Sequence, residues 1–356
     1  MTVSARQTVS AQRGDPVQTS FSVSVTLAQG TPGQMTLEAA IAAWIFAPHG
    51  QPEGEQASLW YLAIPGATYR GLAYFDRQVP GYTPDTFSIA RFLASNGIGL
   101  VVIDTLGTGA SAVEVNGELI TRFVTADANA QVLDQVRERL LMGGLVVDQA
   151  PVPEEALFLG AFGHSMGAFQ LFQLAALLED RDTPLDGAIF AGWSHGPIDY
   201  GRMHLDADAL FAEMVATNGH YTIPRALARP MFYGPEPTVP MALIEADERD
   251  ALTFPKGMLD EGMVPGIVAR EAGTLSCPVL FVAAAHDFSA NAQAEGAAFH
   301  CARLFTSYTQ PMAAHCNFEG SRSEFWQVLV GWSKMAATLG RSYYLAPADY
   351  ATATPL

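Results

Sequence analysis

The chain has 356 residues, a length that suits two domains or one large α/β domain with an insertion. Its composition, 49% hydrophobic and 15% charged, supplies a sizeable core and excludes a disordered chain. With 19 Lys and Arg against 36 Asp and Glu the net charge is −17. Such a surface repels phosphate backbones and anionic lipid, so neither nucleic acid nor membrane is expected as a partner.

Residues 1–20 are polar, contain Gly14 and Pro16, and lack the apolar run of a secretory leader; they read as a flexible N-terminal arm. Residues 21–27 (FSVSVTL) alternate apolar and polar side chains, the period of a half-buried strand. A turn signal at Thr31-Pro32-Gly33 leads to a second predicted strand over 40–46. SLWYLAI over 58–64 predicts a third, stopped by Pro65-Gly66, and these first strands look antiparallel. Strands and helices then alternate. A helix is predicted over 84–94, closed by Asn96-Gly97, before a strand over 98–103 that is apolar throughout, as in a parallel sheet covered on both faces. Next come a helix over 125–142, a strand over 156–162, a helix over 166–178 and a strand over 188–191. Strands over 279–284 and 304–308 and a closing helix over 323–339 complete the pattern. This is an α/β order with a mostly parallel, doubly wound sheet.

Between Ser194 and Ala272 the rhythm breaks. No sheet strand is evident there, only short helical runs such as 206–217. Residues 195–271 therefore read as a helical lid inserted into a core of residues 21–194 and 272–340, with 341–356 as a C-terminal tail. The lid holds six of the 12 methionines: Met203, Met214, Met231, Met241, Met258 and Met263. Methionine is unbranched and adaptable, which suits a surface moulded to apolar ligands and equally suits filling the lid's own small core. The arm and the tail are the segments available to pack on a neighbouring subunit in a homo-oligomer. Cys277, Cys301 and Cys316 are odd in number and widely spaced, which argues against a disulfide framework or a zinc site. No stretch reaches the roughly 18 apolar residues of a membrane span. A soluble, cytoplasmic protein is expected.

The strongest local signal is Gly163-His164-Ser165-Met166-Gly167, directly after one predicted buried strand and directly before a helix. In that setting G-x-S-x-G is a nucleophile elbow, a strained turn that presents the serine at the sheet's carboxyl edge. A serine hydroxyl needs a base to take its proton and a third group to orient that base. Asp287 ends the strand that begins near Cys277, and His315 follows the last strand, giving the chain order Ser165, Asp287, His315. Each lies just past a strand's carboxyl end, so the sheet itself would bring them together. The donors expected for a developing oxyanion are the backbone N–H of Met166 and one from the loop Pro65-Gly66-Ala67-Thr68-Tyr69-Arg70, with Ala67 first choice and Thr68 second. Asp199 is a weaker alternative acid. His164 and His286 adjoin the proposed nucleophile and acid, so their side chains point elsewhere, as structural or pocket-lining groups. His195, at the base of the lid, either faces substrate or is an ordinary hydrogen-bonded loop histidine. His49, His204, His220 and His300 form no ligand pair, and no metal or cofactor is expected.

These motifs resemble the α/β-hydrolase superfamily over residues 21–339: the PGATY loop, Asp104-Thr105-Leu106-Gly107-Thr108-Gly109-Ala110-Ser111 after a central strand, the GHSMG elbow, Asp287 and His315. The resemblance implies a structural role for Asp104, hydrolysis through a Ser-His-Asp triad and a lid after the sixth strand. Many members carry His-Gly before the oxyanion donor, where this chain has Pro65-Gly66.

The expected function is a serine hydrolase cleaving a carboxylic ester or a lactone. The Met-, Phe- and Tyr-rich lid points to a bulky apolar substrate such as a polyketide-type lactone, with Thr68, His164, His195, Met214, Met231 and Phe232 as candidate substrate-binding residues. A nucleophilic serine excludes relatives that place Asp at the elbow. It leaves open thioesterases, amidases, acyltransferases, C–C hydrolases and perhydrolases, and, in another class, a ligand receptor that kept the fold and lost turnover.

Overall fold

The computed structural model describes residues 15–27, 35–49, 57–196, 198–287 and 292–344. Eight strands form one sheet. β1 (Val17–Leu27) and β2 (Met35–Phe46) pair antiparallel along their whole length, and β3 (Ser58–Ile64) follows. Helix α1 (Gly71–Phe75) and helix α2 (Ile89–Ser95) lead to β4 (Ile98–Ile103), and α3 (Arg122–Met142) leads to β5 (Leu157–His164). Then come α4 (Met166–Asp180) and β6 (Ala188–Ala191).

An insertion follows β6. It comprises α5 (Ala207–Glu213), β7 (Val215–Thr217), β8 (His220–Thr222), α6 (Arg225–Tyr233), α7 (Met241–Arg249), β9 (Phe254–Pro255), α8 (Lys256–Gly262) and α9 (Ala269–Thr274). The chain returns to the sheet with β10 (Val279–His286), the short α10 (Ala292–Glu295), β11 (Phe305–Ala314) and the closing α11 (Arg322–Tyr344).

Across the sheet the order is β1-β2-β4-β3-β5-β6-β10-β11. Only the pairings of β2 with β1 and with β4 are antiparallel; from β4 to β11 every pair is parallel. All residues of β3, β4 and β6 are buried, which requires cover on both faces. α3 and α4 pack together on one helical layer, and α2 and α11 pack together on the other. The third strand is thus a central, parallel one. Its uniformly apolar sequence SLWYLAI matches that position better than a place among the antiparallel strands.

Several boundaries differ from the sequence reading: β2 starts five residues before the expected 40, α3 three before 125, and β11 runs six past 308. Residues 17–20, assigned to the arm, are part of β1, with Val17 opposite Ile45 and Ser20 opposite Ala42; the rest of that arm up to residue 14 lies outside the described residues, as does the tail beyond 344. The helix expected from residue 84 starts at Ile89, because Ser88 caps it by accepting the Arg91 N–H at 3.0 Å. In the insertion, the helix expected over 206–217 ends at Glu213, and Val215–Thr217 becomes a strand. β7, β8 and β9 form a small antiparallel sheet, so the insertion is mixed rather than helical. Its hairpin is tied to the core: the Gly117 N–H donates to the Asn218 carbonyl at 3.0 Å.

Candidate active site

Between the last residue of β5 and the first of α4 stands Ser165 alone, at φ 55° and ψ −124°. An L-residue takes this backbone only where its surroundings enforce it. Here the Ser165 N–H donates to the Ala191 carbonyl on β6 at 2.8 Å, and its carbonyl accepts from Phe169 at 3.0 Å. The flanking glycines provide the space. A Cβ on Gly163 would lie 2.4 Å from the Gly167 carbonyl oxygen, and one on Gly167 would lie 2.0 Å from that of Ile64.

β10 delivers Asp287 and β11 delivers His315 to the same rim. The His315 Nδ1–H donates to Asp287 Oδ1 at 2.8 Å, and the Ser165 hydroxyl donates to His315 Nε2 at 2.7 Å. The directions follow from chemistry: an ionised carboxylate only accepts, so Nδ1 carries the proton and Nε2 is left as the base. Asp287 Oδ2 also accepts the Ala284 N–H at 3.3 Å. Ser165 is 8% exposed, Asp287 1% and His315 0%, so water competes little for these bonds.

The surroundings hold the imidazole in place. His164 stacks on Tyr74 with ring centroids 3.8 Å apart, and its Nε2–H donates to the His315 carbonyl at 2.8 Å. Burial, reinforced by His315, lowers the His164 pKa well below its usual value, so it stays neutral. Gly192, at φ 66°, leaves room on one side: a Cβ there would sit 3.0 Å from His315 Cε1. From the insertion, the end of α6 contributes two carbonyls. Met231 accepts the His315 N–H at 3.3 Å and Phe232 accepts the Cys316 N–H at 3.2 Å, which satisfies helix-terminal acceptors and fixes the histidine's backbone. Burial pushes the Cys316 thiol well up in pKa, and it hydrogen bonds with the Tyr69 hydroxyl at 3.1 Å. It is therefore no rival nucleophile.

The loop after β3 presses against the serine. A Cβ on Gly66 would lie only 2.9 Å from the Ser165 Cβ. The Tyr69 N–H donates to the Gly66 carbonyl at 3.3 Å, closing a turn around Ala67 and Thr68. Met166, as the first residue of α4, has an N–H without an intrahelical acceptor at the positive end of the helix dipole. Ala67, Ser165 and Met166 share one cavity of about 140 Å³. Its other walls come mainly from the insertion and are apolar, with Asp260 the one acidic member.

Of the candidate substrate-binding residues, Met214, Met231 and Phe232 line this cavity, whereas Thr68 and His164 are buried outside its lining. His195 lines a second, adjoining cavity. Among the lid methionines, Met214, Met231 and Met263 line the first cavity, Met203 and Met258 fill the core, and Met241 is exposed. Sequence reasoning missed Trp193, Leu210 and Ile223 in the wall. Leu210, Phe211 and Met214 stand at helical spacing, a signal that could have found one of them. Asp199 is exposed and accepts the Arg202 N–H at 3.0 Å, away from the imidazole. Asp104 accepts the N–H groups of Gly71 and Ala110, each at 2.8 Å, and so organises two loops. No group of three or more His, Cys, Asp or Glu among the described residues is placed to hold a metal ion. No helix among them is long and apolar enough to cross a membrane.

No known family profile matches the sequence, and no curated protein is significantly similar to it. Solved structures do resemble the fold. A thermophilic esterase from Thermogutta terrifontis superposes with a TM-score of 0.54 at 18% identity, over 89% of this chain and 99% of that one. An aryl esterase, described as putative, from Burkholderia cenocepacia gives 0.55 at 17% identity over 89% and 99%. A soluble variant of monoglyceride lipase from Saccharomyces cerevisiae gives 0.54 at 13% identity over 93% and 99%. The chain has the α/β-hydrolase fold.

Proposed function

We propose that this protein is a serine hydrolase that cleaves carboxylic esters or lactones of apolar acids. One observation carries the reading: the unbroken chain from Ser165 Oγ to His315 Nε2 at 2.7 Å and from His315 Nδ1 to Asp287 at 2.8 Å, at the floor of an apolar cavity. Ser165 Oγ attacks the carbonyl carbon as His315 Nε2 takes its proton. The oxyanion is met by the N–H groups of Met166 and Ala67. The alkoxide leaves with the proton from His315, and the acyl group stays on Ser165. A water then adds through the same base, and the acid departs as the serine is restored; with a lactone, acid and alcohol remain one molecule. Asp287 orients the imidazole and stabilises its cation throughout. The names of the esterase and lipase neighbours agree with ester chemistry. The cavity of about 140 Å³ favours a compact acyl group or small lactone in the closed form; a polyketide-sized ring needs the insertion to yield.

The test is a panel of simple esters, lactones, thioesters and amides, together with fluorophosphonate labelling. Ester turnover should fall by about 10⁴–10⁶-fold in Ser165→Ala, with label found on Ser165 alone in the native protein. Ligand-induced stabilisation without turnover of any ester would instead identify a receptor.

A further inference from the structure

Beside the apolar cavity lies a second one of about 100 Å³, lined on one side by Ser194, His195 and Gly196 and on the other by residues 262–268. Trp193, Ile198, Tyr200 and Met263 line both cavities, so the two adjoin. The second has a polar element the first lacks. His195 Nδ1 pairs with Glu295 Oε2, the His195 N–H donates to the same oxygen at 3.2 Å, and the Ser194 hydroxyl donates to Glu295 Oε1 at 2.6 Å. Glu295 belongs to α10 in the core and is 5% exposed, while the His195 side chain is 24% exposed. The carboxylate occupies Nδ1, which leaves Nε2 as the imidazole's remaining polar atom. Glu295, first by its hydrogen bond, also raises the pKa of His195, which favours the doubly protonated ring.

Resting on the hydrolase reading above, we infer that His195 is a substrate-specificity residue whose Nε2–H donates to a second, neutral acceptor oxygen, a ketone or amide carbonyl, lying further along the acyl group than the ester itself. A neutral acceptor fits better than a carboxylate on two counts. When the ring is doubly protonated its charge is balanced by Glu295, and the chain's net charge of −17 repels anions. A preformed donor on a mostly apolar path rewards the substrate that presents an acceptor there, because one that lacks it leaves the imidazole without a partner. The preferred substrate is thus an oxo-acyl ester: an apolar segment past Met263 and Tyr200, and a carbonyl at His195.

The experiment uses p-nitrophenyl esters of one medium-length acid with a keto group walked along the chain. The all-methylene ester and the terminal-carboxylate half-ester of equal length serve as controls. The native protein is expected to favour one keto position over the methylene ester by about tenfold in kcat/KM. In His195→Phe that ratio should fall to about one, and in His195→Gln, which keeps a donor of similar reach, part of it should return. Calorimetric binding of the same compounds to Ser165→Ala protein should show the same tenfold preference without any turnover. Preference in binding with no hydrolysis by the native protein would overturn the reaction and leave the His195 site standing. Equal or absent binding of keto and methylene compounds, a preference for the carboxylate, or a ratio untouched by His195→Phe would overturn the inference.

Discussion

In the core, Ser165, His315 and Asp287 form a buried chain in which each working atom meets a partner at 2.7–2.8 Å. The insertion buries Arg225 quite differently. Its side chain is 4% exposed, none of its three nitrogens makes a hydrogen bond, and its contact to Asp247 Oδ1 is 3.6 Å. What holds it is a pair of rings, Tyr69 at 4.4 Å and Phe232 at 4.3 Å from the guanidinium carbon. Asp247 sits closer to Arg77 of the core, at 2.8 Å. Directional bonds from the ends of β5, β10 and β11 hold one region; in the other, diffuse charge–ring contacts seat the insertion on the core. Damage to the first should abolish rate for every substrate, and damage to the second should alter stability and selectivity.

The largest effect expected after loss of the serine is that of Asp287→Asn. It leaves the geometry but favours the wrong tautomer of His315, and kcat should fall by about 10⁴-fold for all esters alike. A substrate-dependent loss would blur the division between regions. Next is Asp247→Ala, which takes the shared carboxylate from both buried arginines and leaves Arg77 only Asp250, at 3.0 Å. Denaturant titration should show a loss of about 3–5 kcal/mol, with kcat of the folded fraction changed far less than in Asp287→Asn. Smaller is the effect of Glu319, a 3% exposed residue whose Oε1 accepts the Ala314 N–H at 3.0 Å, just before His315. Burial raises its pKa from 4.5 to about 7. The fold therefore favours the protonated form, so the stabilisation is complete below about pH 4.5 and is lost as pH rises through about 7. Against Glu319→Gln, which does not titrate, the native protein should lose about 3 kcal/mol of relative stability across that window. A constant difference from pH 4.5 to above 7 would contradict this assignment. The mildest change is Met214→Ala in the cavity wall. It should shift acyl preference toward longer chains by about tenfold in kcat/KM, with activity on short esters retained.

Much of the core could be read from the chain because its signals are local and repeated. Uniform apolar runs such as IGLVVI mark covered parallel strands, and the residue just past a strand end is where chemistry collects. Ser165, Asp287 and His315 were legible for that reason, although their meeting depends on the sheet order. The insertion's small sheet was less so. Asn218-Gly219, with φ of 47° and 70°, is the two-residue turn that joins β7 to β8, and that dipeptide is a strong hairpin signal. Its flanking strands, VAT and HYT, are too short to show a period. The burial of Arg225 and the pairing of His195 with Glu295 were beyond any pattern in the string. Each depends on a side chain from a distant segment: Tyr69, which joins Phe232 of Arg225's own helix, in one case, and a glutamate 100 positions away in the other.

The two backbone hydrogen bonds from the strand-end loop to the end of α6 bear on how cavity wall and imidazole are coupled. The helix whose Met231 and Phe232 line the cavity is the one whose carbonyls at the same two residues hold the backbone of His315 and Cys316. A substitution that displaces this helix would therefore disturb the aim of His315 together with the wall.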